Sequence, residues 1–139
     1  MGKFSELRNQ FAKFAVAGAI GFVVDAGTLN ILVEHYGLNP YRARFASFLL
    51  AATTTWWINR MLTFRSDRRA TVHEWGRYAM SMTLGAFVNI GVYSGVLWTA
   101  GSARQPVLLA ALATGTLSGM SFNFYSARRI LHREPASVS

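Results

Sequence analysis

Displaced by sixty-four positions, the chain lies over itself: Lys13 falls on Arg77, Phe14 on Tyr78, Gly21 on Gly85, Asp25 on Asn89, Gly27 on Gly91 and, without a gap, Asn59 on Asn123. Whatever the first half folds into, the second must fold into as well. Each half holds two long apolar runs parted by a short turn, 12–33 and 43–58 in the first, 78–98 and 107–125 in the second. A bilayer core takes about 20 apolar residues per helix. These runs predict an all-α, polytopic membrane protein in which two helix-hairpin repeats, about 11–65 and 75–129, supply four transmembrane helices within a single domain over 1–139. With two spans per repeat, both halves enter the membrane in the same direction, so the repeat is parallel and its pseudo-twofold axis lies along the membrane normal.

Composition agrees. Of 139 residues, 52% are apolar and only 14% charged, against roughly 25% charged in soluble domains, which leaves no room for a soluble domain. The absence of cysteine excludes disulfides and thiolate metal sites, and His35, His73 and His132 stand in separate connectors or tails, so neither metal nor cofactor is expected. The first run has a basic leader but is longer than a signal-peptide core and has no small-residue cleavage pattern after it, so it should remain in the mature protein. A net charge of +8 raises nucleic acid as a partner, yet the basic residues flank apolar spans, which argues against it.

Topology accounts for the charge better. Lys3, Arg8, Lys13, then Arg60, Arg65, Arg68, Arg69, Arg77, then Arg128, Arg129 and Arg133 fall on one side, against Arg42, Arg44 and Arg104 on the other. That asymmetry predicts cytoplasmic termini and a cytoplasmic 60–77 connector. Gly37-Leu38-Asn39-Pro40 and Gly101-Ser102-Ala103-Arg104-Gln105-Pro106 make the two short outer turns, with each Pro preceding a helix. Trp75 and Trp98 would stand about 34 Å apart on a helix, as rings anchored at two interfaces do. Trp56 and Trp57 read as interfacial anchors as well.

Asp25 is the one acidic residue inside these runs. An ionisable group at mid-membrane costs roughly 2.5–3.5 kcal/mol on insertion scales and usually faces protein or a wet cavity. Ala17, Gly21, Asp25 and Thr28 share a helical face, and Gly85, Asn89 and Tyr93 share the corresponding one. Asp25 and Asn89 are therefore expected to meet near the pseudo-axis, where a carboxylate and an amide can bind hydroxyl groups or a cation. The alternative is an Asp25 that is protonated, or bonded to Asn89, merely to hold two helices together. Asn59 and Asn123 close the second and fourth spans as helix-end caps or as head-group contacts. Arg60, beside Asn59, can offer a phosphate the planar guanidinium fork, or can serve only as a topology signal. The spacings Gly91/Gly95 and Gly115/Gly119 predict close helix packing. Thr53, Thr54 and Thr55 either bond back to their own helix or line a polar groove. No nucleophile with a neighbouring base appears, so no enzyme is expected.

The segments FAKFAVAGAIGFVVDAGTLNIL (11–32), NRMLTFR (59–65) and WGRYAMSMTLGAFVNIG (75–91), followed by Asn123 before basic residues, resemble the GtrA-like family of small four-span proteins of bacterial cell-surface polysaccharide synthesis. The similarity runs from Phe11 to about Arg129. The fourth span departs from the pattern, with NFYSARRIL where the second has NRMLTF, so a role for Arg60 does not carry over to Arg128. The resemblance implies translocation of a polyprenyl-phosphate-linked monosaccharide across the bacterial cytoplasmic membrane for a separate glycosyltransferase. It places the substrate on Asp25, Asn89, Asn59 and Asn123, with Arg60 as the phosphate contact. Four spans barely enclose such a path, so a homodimer, a larger assembly or a partner transferase is expected. Two rivals remain: a proton-coupled exporter of the small multidrug type, and a membrane scaffold that recruits a glycosyltransferase.

Overall fold

The computed structural model describes residues 2–131; His132 and Arg133 lie outside them. Helix α1 (Gly2–Asn30) runs on into a π-helical turn at Ile31–His35, and α2 (Pro40–Ile58) into another at Asn59–Thr63. Helices α3 (Val72–Ala100) and α4 (Val107–Leu131) complete the bundle, and no strand occurs among the described residues. The fold is thus the expected all-helical, polytopic one.

Local chemistry sets the helix ends. At α2 the Asn39 side chain accepts from the Tyr41 amide at 2.9 Å, with Pro40 in the first helical position, where its missing N–H costs nothing. At α3 the Thr71 hydroxyl accepts from the Glu74 amide at 3.1 Å. Gly101, at φ +62°, ends α3 in the left-handed conformation that side chains resist.

Three helices are long and apolar enough to cross a membrane by themselves: Gly2–His35, Val72–Ala100 and Val107–Leu131. The exception is α2, whose first turns carry Arg42 and Arg44 and whose second half carries three threonines. Those threonines bond back to Leu49, Leu50 and Ala52 carbonyls at 2.7, 2.8 and 3.1 Å, which satisfies their hydroxyls inside an apolar setting.

The principal interfaces are α1 against α2 and α3 against α4. In the first hairpin, a Cβ on Gly21 would run into the Thr55 methyl; in the second, one on Gly119 would stand 2.8 Å from the Gly85 carbonyl and the Asn89 Cβ. Gly21/Gly85 and Thr55/Gly119 are repeat-related, so both hairpins cross at the same place. Gly115 also packs closely, against Asn89 and Tyr93. Gly91 and Gly95 do not: a Cβ on either meets nothing within 4 Å, so small-residue spacing there does not serve this hairpin. Gly119→Ala should therefore destabilise the protein by roughly 1–3 kcal/mol, the usual cost of overpacking, whereas Gly91→Ala should not. Thermal unfolding of the two variants in detergent checks this, and equal melting would refute it.

The hairpins meet at one end of the bundle, around Phe14, Trp56, Phe64, Tyr78, Phe124, Ala127, Ile130 and Leu131. Phe124 is the hub, with Phe11 and Phe14 edge-on at centroid distances of 5.2 and 5.6 Å and Phe64 tilted at 5.9 Å. Trp56 belongs to this core rather than to an interface: it is buried, and its indole N–H donates to Glu74 at 3.0 Å. Trp57, next to it, is exposed as an anchor would be.

Candidate functional site

Just beyond the aromatic core, a cavity of about 410 Å³ opens between the hairpins. Phe14 and Tyr78 line it, as do Gly18 and Met82, Phe22 and Ala86, Thr55 and Gly119, and Asn59 and Asn123. Every one of these pairs is related by the sixty-four-residue shift. The cavity therefore straddles the pseudo-twofold axis, and its remaining walls, Gly85, Asn89, Thr116 and Met120, come from the second repeat alone.

Three of the five residues expected to bind substrate, Asn59, Asn89 and Asn123, thus share one cavity. The π-helical turn swings Asn59 inward until it is only 1% exposed. Its amide donates to the Tyr78 hydroxyl at 2.9 Å and its carbonyl accepts from Thr63 at 2.8 Å. Asn89 is seated in the notch left by Gly115 and Gly119. Asn123 rests on Gly85, where any Cβ would collide with its amide. Its Oδ1 is buried and accepts no hydrogen bond within the described residues. The repeat explains the difference: the Asn59 carbonyl accepts from the Thr63 hydroxyl, and in the place of Thr63 the second repeat has Ala127, which has no hydroxyl to give.

The other two residues stand elsewhere. Asp25 does not meet Asn89; its Oδ2 takes the Arg44 guanidinium at 2.5 Å, and it is absent from the cavity wall. Each member of the repeat-related pair packs within its own hairpin, Asp25 toward α2 and Asn89 toward α4. Arg44 lies inside the second apolar run, nineteen residues from Asp25, so the counter-ion was visible in the sequence. The pair also explains how α2 carries an arginine at all, since each charge offsets the other in an apolar setting. Asp25→Ala or Arg44→Ala alone should lower thermal stability in detergent, and the double variant should recover part of the loss, as coupled charges do. Additive losses would show that the contact carries no energy.

Arg60 is likewise engaged. It is 4% exposed, and its guanidinium donates to Glu74 at 2.6 Å and to Ser66 at 3.3 Å. The group expected to contact a phosphate is thus buried and paired, through Nη1, with a carboxylate. Glu74 serves three partners, receiving Arg60 and Trp56 through its side chain and the Thr71 cap through its amide. Arg128, from the looser fourth span, donates to Gln10 at 3.2 Å and ties α4 to α1. Tyr78 is the cavity residue that sequence reasoning missed; its place opposite Phe14 in the repeat was the available signal.

An aromatic and apolar cavity with convergent amides suits a neutral polyhydroxy group better than an ion. Amides offer both donor and acceptor to hydroxyls, and no charged side chain lines the wall. Comparison with curated proteins finds no match. Comparison with protein families matches residues 13–132 to the GtrA/DPMS transmembrane domain, so the chain belongs to that family.

Proposed function

We propose that the protein translocates a polyprenyl-phosphate-linked monosaccharide across the bacterial cytoplasmic membrane, for use by a separate glycosyltransferase in cell-surface polysaccharide synthesis or glycosylation. Membership of the GtrA/DPMS family makes it a multi-pass membrane protein of glycosyl-lipid handling. The observation that carries the finer reading is the cavity on the pseudo-axis, with Asn59, Asn89 and Asn123 converging on it and Asn123 Oδ1 lacking a partner. A buried acceptor without a donor costs about 1–3 kcal/mol, a cost that a sugar hydroxyl entering the cavity would relieve.

A monosaccharide of about a dozen heavy atoms fits the volume, while the prenyl chain stays in lipid beside the bundle. The rival, proton-coupled export of a cation, needs a free carboxylate facing the cavity, and Asp25 is paired with Arg44 outside the wall. Both termini and the 60–77 connector are assigned to the cytoplasm on the charge asymmetry. In proteoliposomes holding a radiolabelled prenyl-phosphate glucose in one leaflet, the purified protein should speed its appearance in the other. A rate equal to that of protein-free vesicles would sink the translocation reading and leave the scaffold.

A further inference from the structure

We infer that a second cavity, between the first turns of α3 and the last turns of α4, binds the phosphate of an amphiphile through Arg77 and Arg129. It measures about 880 Å³. On one side stand His73, Arg77, Met80 and Leu84 from α3; on the other stand Arg129 and Ile130 from α4. The spacing divides the cavity by chemistry. Arg77 and Leu84 are about 10 Å apart along a helix, so the cationic groups gather toward the helix end while Met80 and Leu84 extend toward the bilayer. A phosphate head with a hydrocarbon chain has that same division.

The charge is also uncompensated. No acidic residue lines the cavity, and the acid next to His73, Glu74, is held in the ion pair with Arg60. Among the described residues, neither Arg77 nor Arg129 has an ion pair. Two guanidinium forks converging from different helices can each make two charge-assisted bonds to one phosphate. The start of a 29-residue helix, at Val72 and His73, adds a partial positive charge to the same wall.

The first repeat does not reproduce this arrangement. Arg65 is the partner of Arg129 under the repeat, but the helix has ended by Thr63 and Arg65 takes φ +47°, outside it. Arg129 remains within α4 because the α-helix continues to Leu131. The inference rests on the translocation reading only for the prenyl nature of the chain. It moves the phosphate contact from Arg60 to a pair of residues in the second hairpin.

The test titrates the full chain in detergent with farnesyl phosphate, farnesol, dioctanoylphosphatidylglycerol and inorganic phosphate, followed by calorimetry. Farnesyl phosphate should bind, with farnesol and inorganic phosphate weaker by tenfold or more, and the double variant Arg77→Gln/Arg129→Gln should lose on the order of tenfold or more. Arg65→Gln should leave the affinity unchanged. The same arginine-dependent binding of phosphatidylglycerol would support a site for phosphate lipids in general, and its absence would support one selective for the carrier lipid. Wild-type affinity in the double variant, an equal loss in Arg65→Gln, or inorganic phosphate binding as tightly as farnesyl phosphate would overturn the inference. If farnesyl phosphate binds through both arginines while proteoliposomes show no transfer, the site stands and the translocation reading falls. Transfer without that binding does the reverse.

Discussion

Arg60→Leu should leave little folded protein. The substitution strands the Glu74 carboxylate beside Trp56 in the aromatic core, and breaking a buried ion pair from one side costs roughly 3–5 kcal/mol, a large part of any small domain's stability. The Glu74 side chain is 10% exposed, so water cannot replace the guanidinium. The effect should be asymmetric. Glu74→Gln keeps an acceptor for the Trp56 indole and for Arg60 and should cost less, while the double variant Arg60→Leu/Glu74→Leu should recover much of the loss, because no charge is left unpaired. Thermal unfolding in detergent, with monodispersity by size exclusion, separates these cases. An Arg60→Leu protein that melts with the wild type would mean that the pair is open to solvent.

Asn123→Leu should do the opposite: hold or raise stability while removing transport. Leucine has the branching and the number of heavy atoms of asparagine, with bulkier ends, and needs no hydrogen-bond donor, so it relieves the buried Oδ1, a gain of about 1–3 kcal/mol at most. The same change takes from the cavity the acceptor proposed to meet the sugar. A rise in melting temperature with translocation reduced on the order of tenfold or more is the signature of a residue kept for function at the expense of stability. Asn59→Leu should differ, since its amide is satisfied by Tyr78 and Thr63 and its loss would take the acceptor from Thr63 and a donor from Tyr78. Full transport by Asn123→Leu would remove Asn123 from the substrate site.

The helices were legible because their signals are local. Apolar runs, the Asn39-Pro40 start and the Gly101 stop act within one turn of chain. The repeat was equally legible and led to the cavity through Asn59, Asn89 and Asn123. It misled where equivalence was taken for contact. Asp25 and Asn89 occupy the same place in two hairpins, and each faces the partner helix of its own. Helical spacing fixes which face a side chain shares, but the choice of opposing helix belongs to the packing. Arg60 shows the same gap. Beside a span end, a buried pair with Glu74 and an exposed lipid contact have the same sequence, and the π-helical turn that decides between them has no obvious composition of its own.

The loss of one hydroxyl between Thr63 and its repeat partner Ala127 bears on the orientation of any bound sugar. A cavity on a true twofold axis presents every asymmetric guest with two poses of identical energy, and a hexose has no twofold of its own. With Thr63 occupying the Asn59 carbonyl on one side and Ala127 leaving that of Asn123 free on the other, the two poses of a bound sugar would differ by a hydrogen bond. Two fused copies of one hairpin can thus do what a homodimer of that hairpin could not, which is to give the guest a single bound direction.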